Sequence, residues 1–169
     1  TDDGWSYGSV DFSPDGRFLS YAGGYGTDMI KDGALDHGGP RDLFVLDLDA
    51  ALPNPAEGNP GGALSLPSPR NLTAEWDLDP SGPTWSPNSE YIYFRAEKEG
   101  GTHLFRVAVT GGEVEPITSG LRSHDGIQIS EDFSRLVYTL GLFETPADVY
   151  ASDMDGSGEV RLTRIHEDI

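Results

Sequence analysis

Three stretches of this chain are copies of one another. Val10–Tyr21 reads V-D-F-S-P-D-G-R-F-L-S-Y, Pro83–Phe94 reads P-T-W-S-P-N-S-E-Y-I-Y-F, and Ile127–Tyr138 reads I-Q-I-S-E-D-F-S-R-L-V-Y. Each places a large apolar residue (Phe12, Trp85, Ile129) before a serine (Ser13, Ser86, Ser130), then a turn, then a second apolar strand. An internal repeat constrains architecture more than any local propensity, because each copy is one unit whose faces must be covered by its neighbours.

The remainder of each copy keeps the same register. A second apolar run follows at Leu43–Leu48, Leu104–Val109 and Val149–Met154, and the closing pairs are Leu72-Thr73, Ile117-Thr118 and Leu162-Thr163. Ser86 and Ser130 are 44 residues apart, the length of a four-stranded propeller blade of ~40–45 residues. Ser13 and Ser86 are 73 apart, with the surplus in Ala22–Arg41 and Ala50–Pro69, which are insertions rich in Gly, Pro, Asp and Asn. The strand runs are short and rich in β-branched and aromatic residues. Both of their faces carry apolar groups, as a sheet stacked between two others requires. No window has a sustained helical stripe.

The expectation is therefore an all-β chain: residues 1–169 form a partial β-propeller of three consecutive four-stranded blades, cut from a larger array. The blades span about 5–73, 74–118 and 119–163, and 164–169 start the next element. Phe12, Trp85 and Ile129 are expected in equivalent buried places. Glu131-Asp132-Phe133 replaces P-D-G in the third copy, which predicts a different turn there.

Composition narrows the partners. Lys+Arg of 11 against Asp+Glu of 29 gives −18, a field that repels nucleic acid and anionic membrane. An Asp-rich surface with only two lysines, Lys31 and Lys98, suits an extracellular or high-salt setting, or is simply a solvated acidic surface. Zero cysteines remove disulfides, thiol catalysis and Cys-zinc sites.

The pattern W-S-P-(D/N)-x-x-x-(I/L)-x-(F/Y), a strand such as Thr102–Val109, then G-G-E and (I/L)-T, resembles the propeller repeats of TolB-like proteins and of the prolyl oligopeptidase family of serine peptidases. Glu97–Thr118 looks like a blade of the acylaminoacyl-peptidase and dipeptidyl-peptidase V branch. Thr145–Ile169 is similar to that branch's last blade and its exit toward the catalytic domain. The resemblance implies a propeller that caps an α/β-hydrolase domain and gates peptide substrate, with no cofactor. The other reading is a TolB-like scaffold for protein–protein contacts.

No catalytic residue is expected within the chain: the letters G-x-S-x-G occur at Gly4–Gly8, but no helical stripe follows them to build the strand-to-helix turn of a nucleophile elbow. Ser123-His124-Asp125 has the letters of a triad, but a triad is a geometry and neighbours on a loop do not make one. Asp153–Gly158 begins like a calcium loop. Its twelfth position is Arg164 rather than glutamate, so a hairpin turn is expected and no metal. His37, His103, His124 and His166 lack metal spacing and read as surface or loop histidines. Gly23-Gly24-Tyr25-Gly26 reads as a flexible insertion. Glu97 and Glu99, beside Lys98, are acidic candidates for a substrate's free amino terminus, with a solvated charged loop as the alternative. Asn71-Leu72-Thr73 is a glycosylation sequon on Asn71.

Overall fold

In the computed structural model, which describes residues 5–25, 29–31, 34–36, 41–51, 68–142 and 145–165, each copy of the repeat folds into one antiparallel sheet of four strands. The first sheet pairs β1 (Trp5–Phe12) with β2 (Phe18–Tyr25). A small separate hairpin of β3 (Met29–Lys31) and β4 (Ala34–Asp36) intervenes, and β5 (Asp42–Asp47) and β6 (Arg70–Asn71) complete the sheet. A single helical turn, α1 (Leu48–Ala51), follows β5, with the Asp49 amide donating to Asp47 Oδ1 at 3.1 Å. The second sheet holds β7 (Ser81–Trp85), β8 (Tyr91–Lys98), β9 (Gly101–Ala108) and β10 (Glu115–Pro116). The third holds β11 (Ser123–Ile129), β12 (Arg135–Leu142), β13 (Thr145–Asp153) and β14 (Val160–Arg161). The chain is all-β and consists of three consecutive propeller blades.

The repeated serine closes the first turn of every blade. The amides of Ser13, Ser86 and Ser130 donate to the carbonyls of Phe18, Tyr91 and Arg135, each at 2.9 Å. The three hydroxyls donate to Asp15, Asn88 and Asp132 at 2.5, 2.7 and 2.7 Å, and accept from the amides of Phe18, Tyr91 and Arg135. Gly16, Ser89 and Phe133 occupy the left-handed position, with φ of 73, 61 and 54°. The third turn therefore does not differ, despite lacking Pro and Gly. Left-handed backbone costs a non-glycine residue roughly 1–2 kcal/mol, and here the Phe133 ring packs edge-on against Tyr93 of the neighbouring blade at 5.7 Å.

Between their first two strands all three blades also carry a bulge: at Gly8/Asp11, Ser81/Thr84 and Asp125/Gln128. Its left-handed residues are Ser9, Gly82 and Gly126, with φ of 52, 57 and 61°. They are spaced by 73 and 44 residues, as the serines are.

The middle sheet is covered on both sides. Ile92, Phe94, Phe105 and Val107 face Leu43, Val45 and Leu72 of the first sheet. The alternate positions Tyr93 and Leu104 face Ile127, Leu136 and Tyr138 of the third. Strand periodicity of two places these sets on opposite faces. Trp85 is buried at 5% exposure, stacks on Phe18 and donates from Nε1 to Ser20 Oγ at 3.0 Å.

The three anchors are not equivalent in burial. Trp85 packs on the sheet before its own, Ile129 is half-buried against the middle sheet, and Phe12 is 62% exposed. Trp85 and Ile129 both pack toward the preceding blade, and among the described residues no sheet covers Phe12. The glycine cluster likewise departs from expectation. Gly23 and Gly24 lie within β2, paired with Tyr7 and Ser6, and the space over Gly23 is taken by the Tyr7 and Phe44 rings. Gly26 lies outside the described residues.

Trp85→Ala should cost roughly 3–5 kcal/mol, since it opens a cavity between two blades and removes a buried hydrogen bond. Equilibrium denaturation of the substituted protein measures this. An unchanged midpoint would show that the indole carries no packing.

Candidate functional site

The seam between the second and third blades gathers the polar chemistry of the chain. At the first strands of these blades it holds a cavity of about 250 Å³, walled by Tyr93, Leu104, Ile127 and Ile129 and lined on its polar side by Thr84, Arg95 and Gln128. The bulge at Gly82 brings the backbone of β7 under the Arg95 side chain. A wider groove of about 510 Å³ lies between the turns of the first two blades, beside Arg17 and Tyr91. Its arginine is neutralised by Asp47 at 2.9 Å.

The other polar feature of this seam is a pair of buried imidazoles. His103 and His124 are each 2% exposed, and their ring centroids lie 5.2 Å apart. Each ring leaves Nδ1 buried without a hydrogen-bond partner among the described residues. The expectation of surface histidines fails for both. His37 and His166 lie outside the described residues.

The reason His103 is buried lies in the repeat. The closing threonine of each blade accepts a third-strand amide: Leu43 to Thr73, Leu104 to Thr118 and Val149 to Thr163, each at 2.9 Å. In the outer blades its hydroxyl donates to an aspartate, Asp42 at 2.9 Å and Asp148 at 2.7 Å. His103 stands at that aspartate's place in the middle blade. Asp148 also accepts from the Ile165 amide and from Arg161, and these bonds, led by that from Thr163, hold its carboxyl down at about 2. The threonine of the clasp recurs as the same letter in all three copies, whereas its partner is aspartate in only two of them, Asp42 and Asp148, and so leaves no uniform letter in the repeat.

The remaining candidates fall as follows. Glu97 and Glu99 are exposed on the β8–β9 hairpin, where Glu99 (φ 54°) and Gly100 (φ 81°) form the two-residue turn. Asn71 is half-buried; its amide donates to Asp42 Oδ2 at 2.8 Å and its oxygen accepts from the Thr73 amide, so the sequon lies within the clasp of the first blade. Asp153–Gly158 forms the β13–β14 hairpin turn, with Asp153 ion-paired to Arg135 at 3.0 Å. In Ser123-His124-Asp125 the serine donates directly to Asp125 at 2.9 Å and accepts from the Thr102 amide, while the imidazole is buried beside His103. Among the described residues no group of three His, Cys, Asp or Glu is arranged to hold a metal, and no helix is long and apolar enough to cross a membrane.

Known proteins place this architecture. No protein-family model matches the chain. Dipeptidyl-peptidase 5 of Porphyromonas gingivalis is 27% identical over 143 residues, which cover 82% of this chain and 17% of that protein. A putative TolB from Agrobacterium tumefaciens superposes with a TM-score of 0.52 at 25% identity, over 90% of this chain and 47% of that one. A puromycin-hydrolyzing peptidase of Mycobacterium tuberculosis superposes with a TM-score of 0.61 at 16% identity, over 95% of this chain and 22% of that one. The chain carries TolB-like propeller repeats, similar to those of prolyl oligopeptidase-family peptidases. It spans less than half the length of each of these three proteins.

Within this propeller segment the histidine pair makes the second seam sensitive to acid. Burial is the main cause that lowers His124 to about 4, and repulsion from His103 and Arg122 adds to it against the attraction of Glu159. Burial also lowers His103, opposed by Glu99 and aided by Lys98 and Arg122. An unfolded histidine titrates near 6.5. Between pH ~6.5 and ~4 the unfolded chain binds a proton that folded His124 refuses, so stability falls as pH falls, by up to about 1 kcal/mol per pH unit. Melting temperatures measured across that range should drop steeply for the native protein and less steeply for His124→Phe. Equal slopes would show that His124 does not carry the effect.

Proposed function

We propose that this chain is the non-catalytic propeller segment of a serine peptidase of the oligopeptidase, dipeptidyl- or acylaminoacyl-peptidase type. In this reading it gates peptide substrate and holds it over an α/β-hydrolase domain that the chain itself does not contain. The observation that carries the reading is the 27% identity to a dipeptidyl-peptidase across 82% of the chain, joined to blades that stack face to face. The division of labour follows from chemistry. Acyl transfer from a peptide needs an activated serine, a base and an oxyanion hole. The G-x-S-x-G letters at Gly4–Gly8 do not present the first of these, because Ser6 lies in the antiparallel strand β1 opposite Gly24 rather than on the strand-to-helix turn of a nucleophile elbow. Stacked, two-sided sheets supply a rigid wall that can select by size and bind.

Glu97 and Glu99 are the carboxylates we assign to a substrate's free amino terminus, their exposed hairpin leaving both side chains accessible. Asn71 is retained as a glycosylation position that would require release of its bond to Asp42. The 25% identity to a putative TolB favours a second reading, a propeller used for protein–protein contact alone.

A fluorophosphonate probe separates the two. In the full-length protein it should label a serine C-terminal to Ile169, while residues 1–169 alone should release no more product from dipeptidyl chromogenic amides than buffer does. Labelling of Ser123 or any other serine within the blades would overturn the assignment. Absence of any labelled serine in the full-length protein would favour the scaffold.

A further inference from the structure

Three arginines among the described residues are half-buried, namely Arg95, Arg106 and Arg122. Arg106 is paired with Glu115 at 2.7 Å and Arg122 with Glu159 at 2.9 Å. Arg95 is different. Its backbone carbonyl accepts from Ser81 Oγ, but its guanidinium has no hydrogen bond or ion pair among the described residues. In a chain with 29 acidic and 11 basic residues, an arginine partly withdrawn from water and left without a carboxylate is an exception. A guanidinium carries five donors in a fixed fork that matches a carboxylate.

The fold keeps a place for this side chain. Ideal Cβ positions built on Gly82 overlap Arg95 Nη2 and lie 3.2 Å from its Cζ and 3.3 Å from its Nε, so the guanidinium rests on the bare backbone of the bulge. Backbone conformation alone does not demand glycine there, because Ser9 holds the same bulge position in the first blade at φ 52°. At Gly126 of the third blade the corresponding Cβ would meet nothing within 4 Å. The residues at Arg95's place in the other two blades are Ala22 and Thr139. Glycine at 82 thus coincides with the one blade that carries arginine at this place, and the space its absent side chain leaves is filled by that arginine.

We propose that Arg95, seated on Gly82, is a binding site for a peptide carboxylate, with Thr84 and Gln128 as flanking polar groups and Leu104 and Ile127 as the apolar floor for the adjoining residue. The cavity of about 250 Å³ takes one or two residues of a peptide, and a bidentate arginine–carboxylate pair supplies both attraction and orientation. The surrounding charge of −18 repels anions generally, so affinity must come from this local pairing. That the carboxylate belongs to a peptide rests on the peptidase reading above; the arginine–glycine cradle does not.

Calorimetric titration of the full-length protein with N-acetyl-trialanine, with its C-terminal amide, and with N-acetyl-Ala-Asp-Ala amide tests the site. A free C-terminal carboxylate or the aspartate side chain should bind roughly tenfold or more tightly than the uncharged amide, and whichever acid does so identifies the source. Arg95→Gln removes no hydrogen bond of the described structure and should abolish the preference. Gly82→Ala keeps the charge but displaces the guanidinium, and should reduce the preference several-fold, with the melting temperature lowered by a few degrees because alanine must take the left-handed backbone. Equal binding of acids and amide, or a preference that survives Arg95→Gln, would overturn the site. Failure of fluorophosphonate labelling with an Arg95-dependent preference intact would remove the peptidase reading and leave the carboxylate site standing.

Discussion

One hydroxyl per blade sets the frame on which the rest depends. The serine that precedes each first turn donates to the side chain two residues on and accepts an amide from the start of the second strand. This fixes where the second strand begins relative to the first, and a strand shifted by one residue would turn every side chain to the opposite face. Register is critical in the middle blade because both faces are buried: Phe94 and Val107 pack on one neighbour, Tyr93 and Leu104 on the other. A slip there would exchange the two sets of partners at once. Phe133 illustrates how strongly the turn is imposed, since an aromatic residue accepts the left-handed backbone that glycine takes in the first copy.

The fold was legible because repetition is a long-range signal available in a single chain. Spacings of 44 and 73 residues located the blades and separated insertion from plan, and two-sided apolarity predicted stacking. What could not be read were properties of a blade's surroundings. Phe12, Trp85 and Ile129 occupy one place in the repeat but meet different neighbours, so their burial ranges from 62% exposed to 5%. The bulge was hidden for another reason. Ser9, Gly82 and Gly126 share a backbone conformation and not a letter pattern, and only the structure shows that they are equivalent.

The site was less legible than the fold, and the histidines show why. Isolated His103 has no metal spacing and no catalytic neighbour in sequence, which invites a surface assignment. Aligning it with Asp42 and Asp148 places it at a buried position that grips the closing threonine. The signal lies in the register of the repeats, at the residue just before each second apolar run, where the polar letter changes from Asp to His in the middle copy. Replacing aspartate by imidazole removes a buried charge from the middle blade and sets His103 against His124 across the seam. The clasp on the Leu104 amide survives through Thr118, so that charge is not needed for blade closure.

Departures from the repeat are therefore more informative about function than the repeat itself. Residues shared by all three blades explain closure and stacking: the anchor serine, the clasp threonine and the bulge. Arg95, Gly82 beneath it and His103 occur where the middle blade breaks the pattern, and His124 of the third blade lies against His103. All lie on the same seam, between the second and third blades. A scaffold whose sole requirement was rigidity would have no physical reason to keep an unpaired guanidinium and two unpartnered imidazole nitrogens at one interface, since each carries a desolvation cost that an apolar or paired residue avoids. Their concentration there is the structural argument for proposing this seam, rather than the seam between the first and second blades, as the ligand-binding place.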